Sequence, residues 1–99
     1  MKVLNFKSIE PFFSQERDGE KPFTTRRIDP KDKRFRALSQ WKSYSSWAMR
    51  ITNPGTGESF VRTILGIDRL RYLDHKRGSG VFYESIEGWL LIILGDKVK

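Results

Sequence analysis

The chain has no cysteine and a single histidine among its 99 residues. The absence of cysteine excludes a disulfide framework, a thiolate nucleophile and a zinc site built on thiolates. His75 lies in a charged segment and has no second histidine with which to share a metal. We therefore expect neither a metal nor a cofactor.

Long apolar runs are also missing. The longest covers only residues 89–94, whereas a transmembrane helix needs roughly 20 consecutive apolar residues. Val3 and Leu4 are followed at once by Asn5, so the start of the chain does not have the apolar stretch of a signal peptide. We expect no membrane association and a cytoplasmic location.

Acidic residues are also few: the chain has 12 Asp and Glu compared with 19 Lys and Arg, which gives a formal net charge of +7. An excess of this size attracts anions, of which phosphate backbones are the commonest. The composition includes 37% hydrophobic and 13% aromatic residues, enough for one packed core. We expect a single domain over residues 1–99 with an anionic partner, RNA or a nucleotide.

The first third of the chain predicts a strand, a helix and a second strand. Residues 3–6 favour the first strand, Ser8 can cap the helix, and Gly19 can end it in a left-handed conformation. Residues 22–28 favour the second strand. The charged residues 31–36 could then form one helical turn capped by Asp29.

The rest of the chain predicts a hairpin and a final strand. Residues 47–52 and 60–67 alternate around a turn at residues 53–57. A polar loop at residues 70–80 precedes the apolar residues 89–94, which we expect to be buried on both faces. Five or six strands with one N-terminal helix indicate a mainly β (α+β) fold. A small β-barrel is favoured, because closure removes exposed edges.

One short motif contains several polar side chains that could form a binding site. Residues 19–26 fit the pattern Gly-x-Lys-x-x-Thr-x-Arg. Thr24 and Arg26 are two positions apart on a strand and therefore point to the same side, while Arg27 points away from them. Lys21 must approach from the turn that Gly19 makes. Because a guanidinium and an ammonium both bind phosphate, these side chains predict a ligand site at a pocket mouth.

The motif resembles the signature of the ASCH domain, a family of PUA-like β-barrels. The preceding helix with its paired aromatic residues is similar too, and residues 87–93 resemble the closing strand of small phage and bacterial members. The resemblance implies a PUA-like barrel that binds RNA in the cleft beside the motif.

One subgroup of that family is similar to amidohydrolases that deacetylate N4-acetylcytidine. There a lysine, a threonine and a later glutamate are held to be catalytic. Carried over, the resemblance implies Lys21 and Thr24, with Glu87 or its neighbour Glu84 as the carboxylate. From the residues alone, Thr24 could equally be a strand former, and Arg26 could form a salt bridge with either glutamate.

A basic stretch follows the motif at Lys31, Lys33, Arg34 and Arg36. It is either a solvated face or the rim of the site, where it would hold a phosphate backbone. Phe35 lies within this stretch, and we expect it to pack in the core rather than to stack on a base. Trp41 and Tyr44 lie in a polar context, so one of them could line a cleft.

Three hypotheses follow. The leading one is a binding module for RNA or a nucleotide that uses the motif and the basic stretch. The second is an amidohydrolase in which Thr24 or a water attacks an amide and Lys21 shuttles protons. The third is a phage-type accessory protein whose basic surface captures an acidic host protein.

Overall fold

The structure, a computed structural model, describes residues 1–29, 31–69 and 89–98. In these residues five strands form one sheet that curls into a half-barrel, accompanied by two short helices. In chain order the elements are β1 Lys2–Lys7, α1 Phe12–Asp18, β2 Phe23–Arg27, α2 Lys33–Leu38, β3 Trp47–Thr52, β4 Ser59–Arg69 and β5 Trp89–Lys97. The mainly β prediction is therefore confirmed, with α2 as a second helix beyond the one at the start of the chain.

The strand order β1-β3-β4-β5-β2 makes β1 and β2 the two edges of the sheet. β1 pairs with β3 in parallel, and the other neighbours are antiparallel. The predicted hairpin is confirmed as β3 and β4. Asn53 fixes its turn, because its Oδ1 accepts a hydrogen bond from the Gly55 amide at 2.8 Å and its backbone amide donates to the Glu58 carbonyl.

The hydrophobic core lies on the inner face of the curl. Phe13 of α1 and Leu38 of α2 belong to the same buried cluster as Phe6, Met49 and Ile92 of the sheet. Both helices therefore pack against this inner face.

The expectation that residues 89–94 are buried on both faces is wrong. Leu90, Ile92 and Leu94 are buried, whereas Ile93 on the opposite face is 41% exposed. The reason is that the helices α1 and α2 cover only the inner face of the sheet. Although residues 89–94 are all apolar, only those that point to this covered face are buried.

Ser8 does not cap the first helix as expected. The helix begins at Phe12 with Pro11 at its N-cap, and the Ser8 hydroxyl instead donates to Glu16 Oε1 at 2.8 Å. The left-handed cap at Gly19 is confirmed by its φ of 83°. The basic stretch forms α2, but its cap is Asp32 and not Asp29 as expected. Asp32 Oδ1 accepts from the Arg34 amide at 2.9 Å, whereas Asp29 Oδ1 accepts from the Lys31 amide before the helix begins.

The predicted polar loop at residues 70–80 lies outside the described residues. Within the described ranges, neither helix has the length or the apolar character needed to cross a membrane.

Candidate anion-binding site

The two edge strands of the sheet are joined by one arginine side chain. Arg26 of β2 points to the inner face and donates to the Lys7 carbonyl at the end of β1 and to Ser8 Oγ just beyond it. The curl of the sheet thus brings its edges within the reach of a guanidinium. The candidate site lies at this junction.

A cavity of about 420 Å³ opens beside Arg26. We call it the α1 cavity, because α1 forms one wall, while β2, the end of β1 and the start of β5 form the others. Its volume is within the range of roughly 300–1,000 Å³ that is typical of small-molecule sites. The residues that line it include Lys7, Phe12, Glu16, Lys21, Arg27 and Trp89.

The structure brings the three motif side chains to this cavity. Thr24 and Arg26 lie on the same side of β2, as their spacing predicted, and Arg26 Nε donates to Thr24 Oγ1 at 3.2 Å. Lys21 approaches from the turn after α1, where its backbone amide donates to the Gln15 carbonyl. Thr24 itself belongs to the lining but is only 1% exposed, so it lies deep in the cavity wall.

Glu16 supplies a carboxylate that the sequence analysis did not assign to the site. It is 1% exposed, and it accepts from Lys21 Nζ at 3.0 Å and from Ser8 Oγ at 2.8 Å. The available signal was a charged residue at helical spacing from Phe12 and Phe13, on the apolar face of α1. Glu84 and Glu87, the glutamates we had expected here, lie outside the described residues.

Arg26 is half-buried, and this burial is the main reason that its pKa lies below the ordinary value. The negative charge of Glu16 opposes the shift, and the positive charge of Arg34 adds to it. Its three hydrogen-bond acceptors, the Lys7 carbonyl and the Ser8 and Thr24 hydroxyls, are all uncharged. In the described part of the chain Arg26 has no carboxylate within ion-pair distance.

The lining of the α1 cavity is strongly cationic. Four of its residues, Lys7, Lys21, Arg26 and Arg27, are positively charged, whereas Glu16 is its one carboxylate among the described residues. Three positive charges are therefore in excess around a partly desolvated space, where charge interactions are stronger than in bulk water. The cavity is suited to an anion.

The basic stretch does not line the α1 cavity. Lys31, Lys33 and Arg36 are exposed. Arg34 is half-buried, and its Nε donates to both carboxylate oxygens of Asp32 at 3.0 Å. These bonds and the one from the Arg34 amide lower the pKa of the Asp32 carboxyl.

The positions of the aromatic side chains agree only in part with the sequence predictions. Phe35 packs edge-on against Phe6, with ring centroids 6.0 Å apart, as the core-packing interpretation required. Neither Trp41, which packs against the core, nor Tyr44, which is 85% exposed, lines the α1 cavity. Trp89, which we had expected to be packed in the core, is half-buried and lines it instead.

The described ranges contain no group of three or more His, Asp and Glu side chains that could hold a metal ion. Comparison with protein-family models finds no match, and comparison with curated proteins finds none either. We therefore infer the function from the geometry of the cavity.

Proposed function

We propose that the protein is an RNA- or nucleotide-binding module and that the α1 cavity is its ligand site. The observation that carries this proposal is Arg26, a half-buried guanidinium whose acceptors among the described residues are all neutral. A desolvated charge without a counter-charge is costly. A phosphate from a ligand would supply the missing negative charge through strong, charge-assisted hydrogen bonds.

The other charges around the cavity support the same ligand class. Lys7, at the end of β1, and Arg27, at the end of β2, are both exposed and both line the α1 cavity. Lys21 is held by Glu16, so it contributes less free charge than these two. A phosphate at Arg26 would therefore be approached by two further mobile cations.

Aromatic rings in the cavity wall support a ligand that carries a base. Phe12 is 49% exposed, and Trp89 is half-buried; both line the α1 cavity. Proteins that bind single-stranded nucleic acids combine a basic groove with aromatic rings on which bases stack. A nucleotide would satisfy both features, with its phosphate at Arg26 and its base against these rings.

The test is binding of a fluorescently labelled single-stranded RNA hexamer, followed by anisotropy at about 50 mM and about 200 mM salt. The wild type should bind and should lose affinity steeply with salt, because phosphate contacts release counterions. Arg26→Gln should weaken binding at least about tenfold, as expected for one lost charge-assisted contact of roughly 1.4 kcal/mol.

Arg50→Gln is the matched control. Arg50 is an exposed arginine on β3 that does not line the α1 cavity, so its replacement removes the same charge from the surface alone. It should change the affinity less than about twofold. Equal losses in the two variants, or no binding by the wild type, would overturn the proposal.

The ASCH-type, PUA-like assignment belongs to the same proposal. It is supported by the curled five-stranded sheet and by the position of the motif side chains around a cavity next to the first helix. The ligand class does not depend on it, since the charge and aromatic arguments rest on the residues of the cavity.

An amidohydrolase is the second candidate, favoured by one observation. The cavity contains an ammonium and a carboxylate in direct contact, Lys21 with Glu16, next to the Thr24 hydroxyl. Because Thr24 is buried, the attacking group in this candidate is a water. It would add to the acyl carbon and give its proton to the Glu16 carboxylate, and the C–N bond would break as the leaving nitrogen takes a proton from the Lys21 ammonium.

Release of acetate from N4-acetylcytidine tests this second candidate. Turnover that disappears in both Lys21→Ala and Glu16→Gln, but persists in Arg50→Gln, would establish it above the binding module. Absence of turnover in the wild type at high enzyme concentration would eliminate it.

A further inference from the structure

A second cavity lies next to the first. It measures about 580 Å³ and is lined by Asn5, Phe6, Lys7, Arg26, Arg34 and Thr52. We call it the α2 cavity, because Arg34 of α2 forms one wall. The two cavities share Lys7 and Arg26, so the guanidinium that joins the edge strands also stands between two separate hollows.

The lining of the α2 cavity is cationic as well. It includes Lys7, Arg26 and Arg34 and, among the described residues, no carboxylate. Arg34 is compensated by Asp32 from behind the wall, whereas Arg26 is not compensated by an ion pair in the described chain. A phosphate bound at the boundary therefore has its strongest attraction to Arg26, with Lys7 beside it.

Arg34 is better suited to a base than to a phosphate. Its guanidinium lies over the Phe6 ring at 4.1 Å from the centroid, and its side chain is still 40% exposed. Its edge is held by Asp32 and by the Asn5 carbonyl. The Arg34 guanidinium is flat, its edge is fixed, and the Phe6 ring covers one of its faces. The other face is available to a ligand, and nucleobases stack on guanidinium planes of this kind.

We propose that the ligand is a single-stranded oligonucleotide that occupies both cavities, with one phosphodiester at Arg26 and Lys7. This rests on the proposed nucleotide-binding function and names its substrate class. One nucleotide occupies the α1 cavity, and the base of the linked nucleotide stacks on Arg34 in the α2 cavity. The smallest ligand that uses the whole site is a dinucleotide rather than a free mononucleotide.

Titration calorimetry with four probes tests this: uridine 5′-monophosphate, the dinucleotide UpU, and two UpU analogues that each lack the base at one of the two positions. UpU should bind at least about tenfold more tightly than the monophosphate, because a stacked base contributes roughly 1–3 kcal/mol. Loss of one of the two bases should return the affinity to near that of the monophosphate.

Arg34→Ala should remove most of the advantage of UpU and leave the affinity for the monophosphate within about twofold. Arg34→Lys keeps the charge but not the flat face, so it should resemble Arg34→Ala. Arg50→Ala is the control, since Arg50 is exposed on β3 and lines neither cavity. It should keep the full advantage.

The outcomes separate the two proposals. If the monophosphate and UpU bind equally well, the two-cavity inference is wrong and the nucleotide-binding proposal stands. If neither binds, and the hexamer does not bind either, the nucleotide-binding proposal is wrong. Because the base-removed probes need no change in the protein, the result does not depend on how well the Arg34 variants fold.

Discussion

Arg26 and Arg62 are half-buried arginines on the inner face of the same sheet, and within the described ranges each makes three hydrogen bonds to uncharged acceptors. Arg62 of β4 donates to the carbonyls of Glu16, Arg17 and Gly95 at 2.7–3.1 Å. Two of these carbonyls lie in the last turn of α1, where the helix carries a partial negative charge. Arg26 binds the segment before α1 instead and borders both cavities.

The difference shows what a guanidinium does when it is directed at the negative end of a helix and when its described hydrogen-bond partners carry no negative charge. Arg62 is directed at the negative end of a helix and ties it to β5, so its role is structural. Arg26 has two hydroxyls and one carbonyl for partners and open space on two sides. We expect stability to depend mainly on the first and ligand affinity mainly on the second.

The largest expected effect is that of Arg62→Ala on stability. Removing it leaves three carbonyls without their donor and frees the end of α1, at a cost of about 3 kcal/mol in the free energy of unfolding. Arg26→Gln should cost less than about 1 kcal/mol, because it also relieves the burial of a charge. Urea unfolding of both variants measures this, and equal losses would contradict the comparison.

Gly95→Ala should have the next largest effect. A Cβ at this position would lie 2.3 Å from Thr63 Oγ1 and 2.8 Å from Leu65 Cγ, at an irregularity in the β4–β5 pairing. The strand must shift, and the Gly95 carbonyl moves away from Arg62. We expect a loss of about 2 kcal/mol, measured by urea unfolding. Gly57→Ala, where φ is 78° but no atom lies within 4 Å, separates backbone strain from this clash and should cost about 1 kcal/mol.

Glu16→Gln should shift stability and affinity in opposite directions. The amide keeps a hydrogen bond with Ser8 or Lys21 but removes the buried countercharge, which costs about 1–2 kcal/mol of stability. The cavity gains positive potential, so the RNA hexamer should bind a few-fold more tightly at low salt. Anisotropy and urea unfolding measure the two effects. Weaker binding would mean that Glu16 contacts the ligand, as the amidohydrolase candidate requires.

The smallest effect concerns Asp32, which compensates Arg34. Hydrogen bonds from the Arg34 side chain and amide lower the pKa of its carboxyl, so its contribution to stability is present above its unfolded pKa of about 3.9. It is lost as the pH falls through the lower pKa of the folded state. Asp32→Asn keeps the N-cap but not the charge.

Thermal unfolding between about pH 7 and pH 2 checks the sign. The melting temperature of the wild type should exceed that of Asp32→Asn by a constant amount above about pH 5, and the gap should narrow below about pH 4. A gap that widens in acid would show that the carboxylate does not favour the folded state.

The sequence was sufficient for the local elements because their signals are local. The hairpin follows from alternation around Asn53, and the end of α1 follows from Gly19. The convergence of Lys21, Thr24 and Arg26 could be predicted from strand periodicity and one turn.

The rest depended on contacts between distant parts of the chain. The role of Glu16 could not be predicted, because a charged residue on an apolar helix face does not indicate which lysine will form an ion pair with it. The contact between Arg26 and Lys7 arises from the curl of the sheet, which brings residues of β1 and β2 together. The separation of Arg34 from the other basic residues follows from the cap at Asp32, which placed α2 two residues later than the charge pattern indicated.

Arg26 connects β2 with β1 at a contact that we call the seam, and this contact affects how fast a ligand can bind. A guanidinium has five N–H groups. Arg26 uses one each on Nη1 and Nη2 to hold the seam, and its Nε donates to Thr24 on its own strand. Within the part of the chain that the structure describes, one N–H on each terminal nitrogen has no acceptor, which matches the two oxygens that a phosphate offers to an arginine fork. A ligand can therefore dock without breaking the seam, so association should be limited by diffusion and charge, and selectivity among ligands should be expressed in how long each one stays bound.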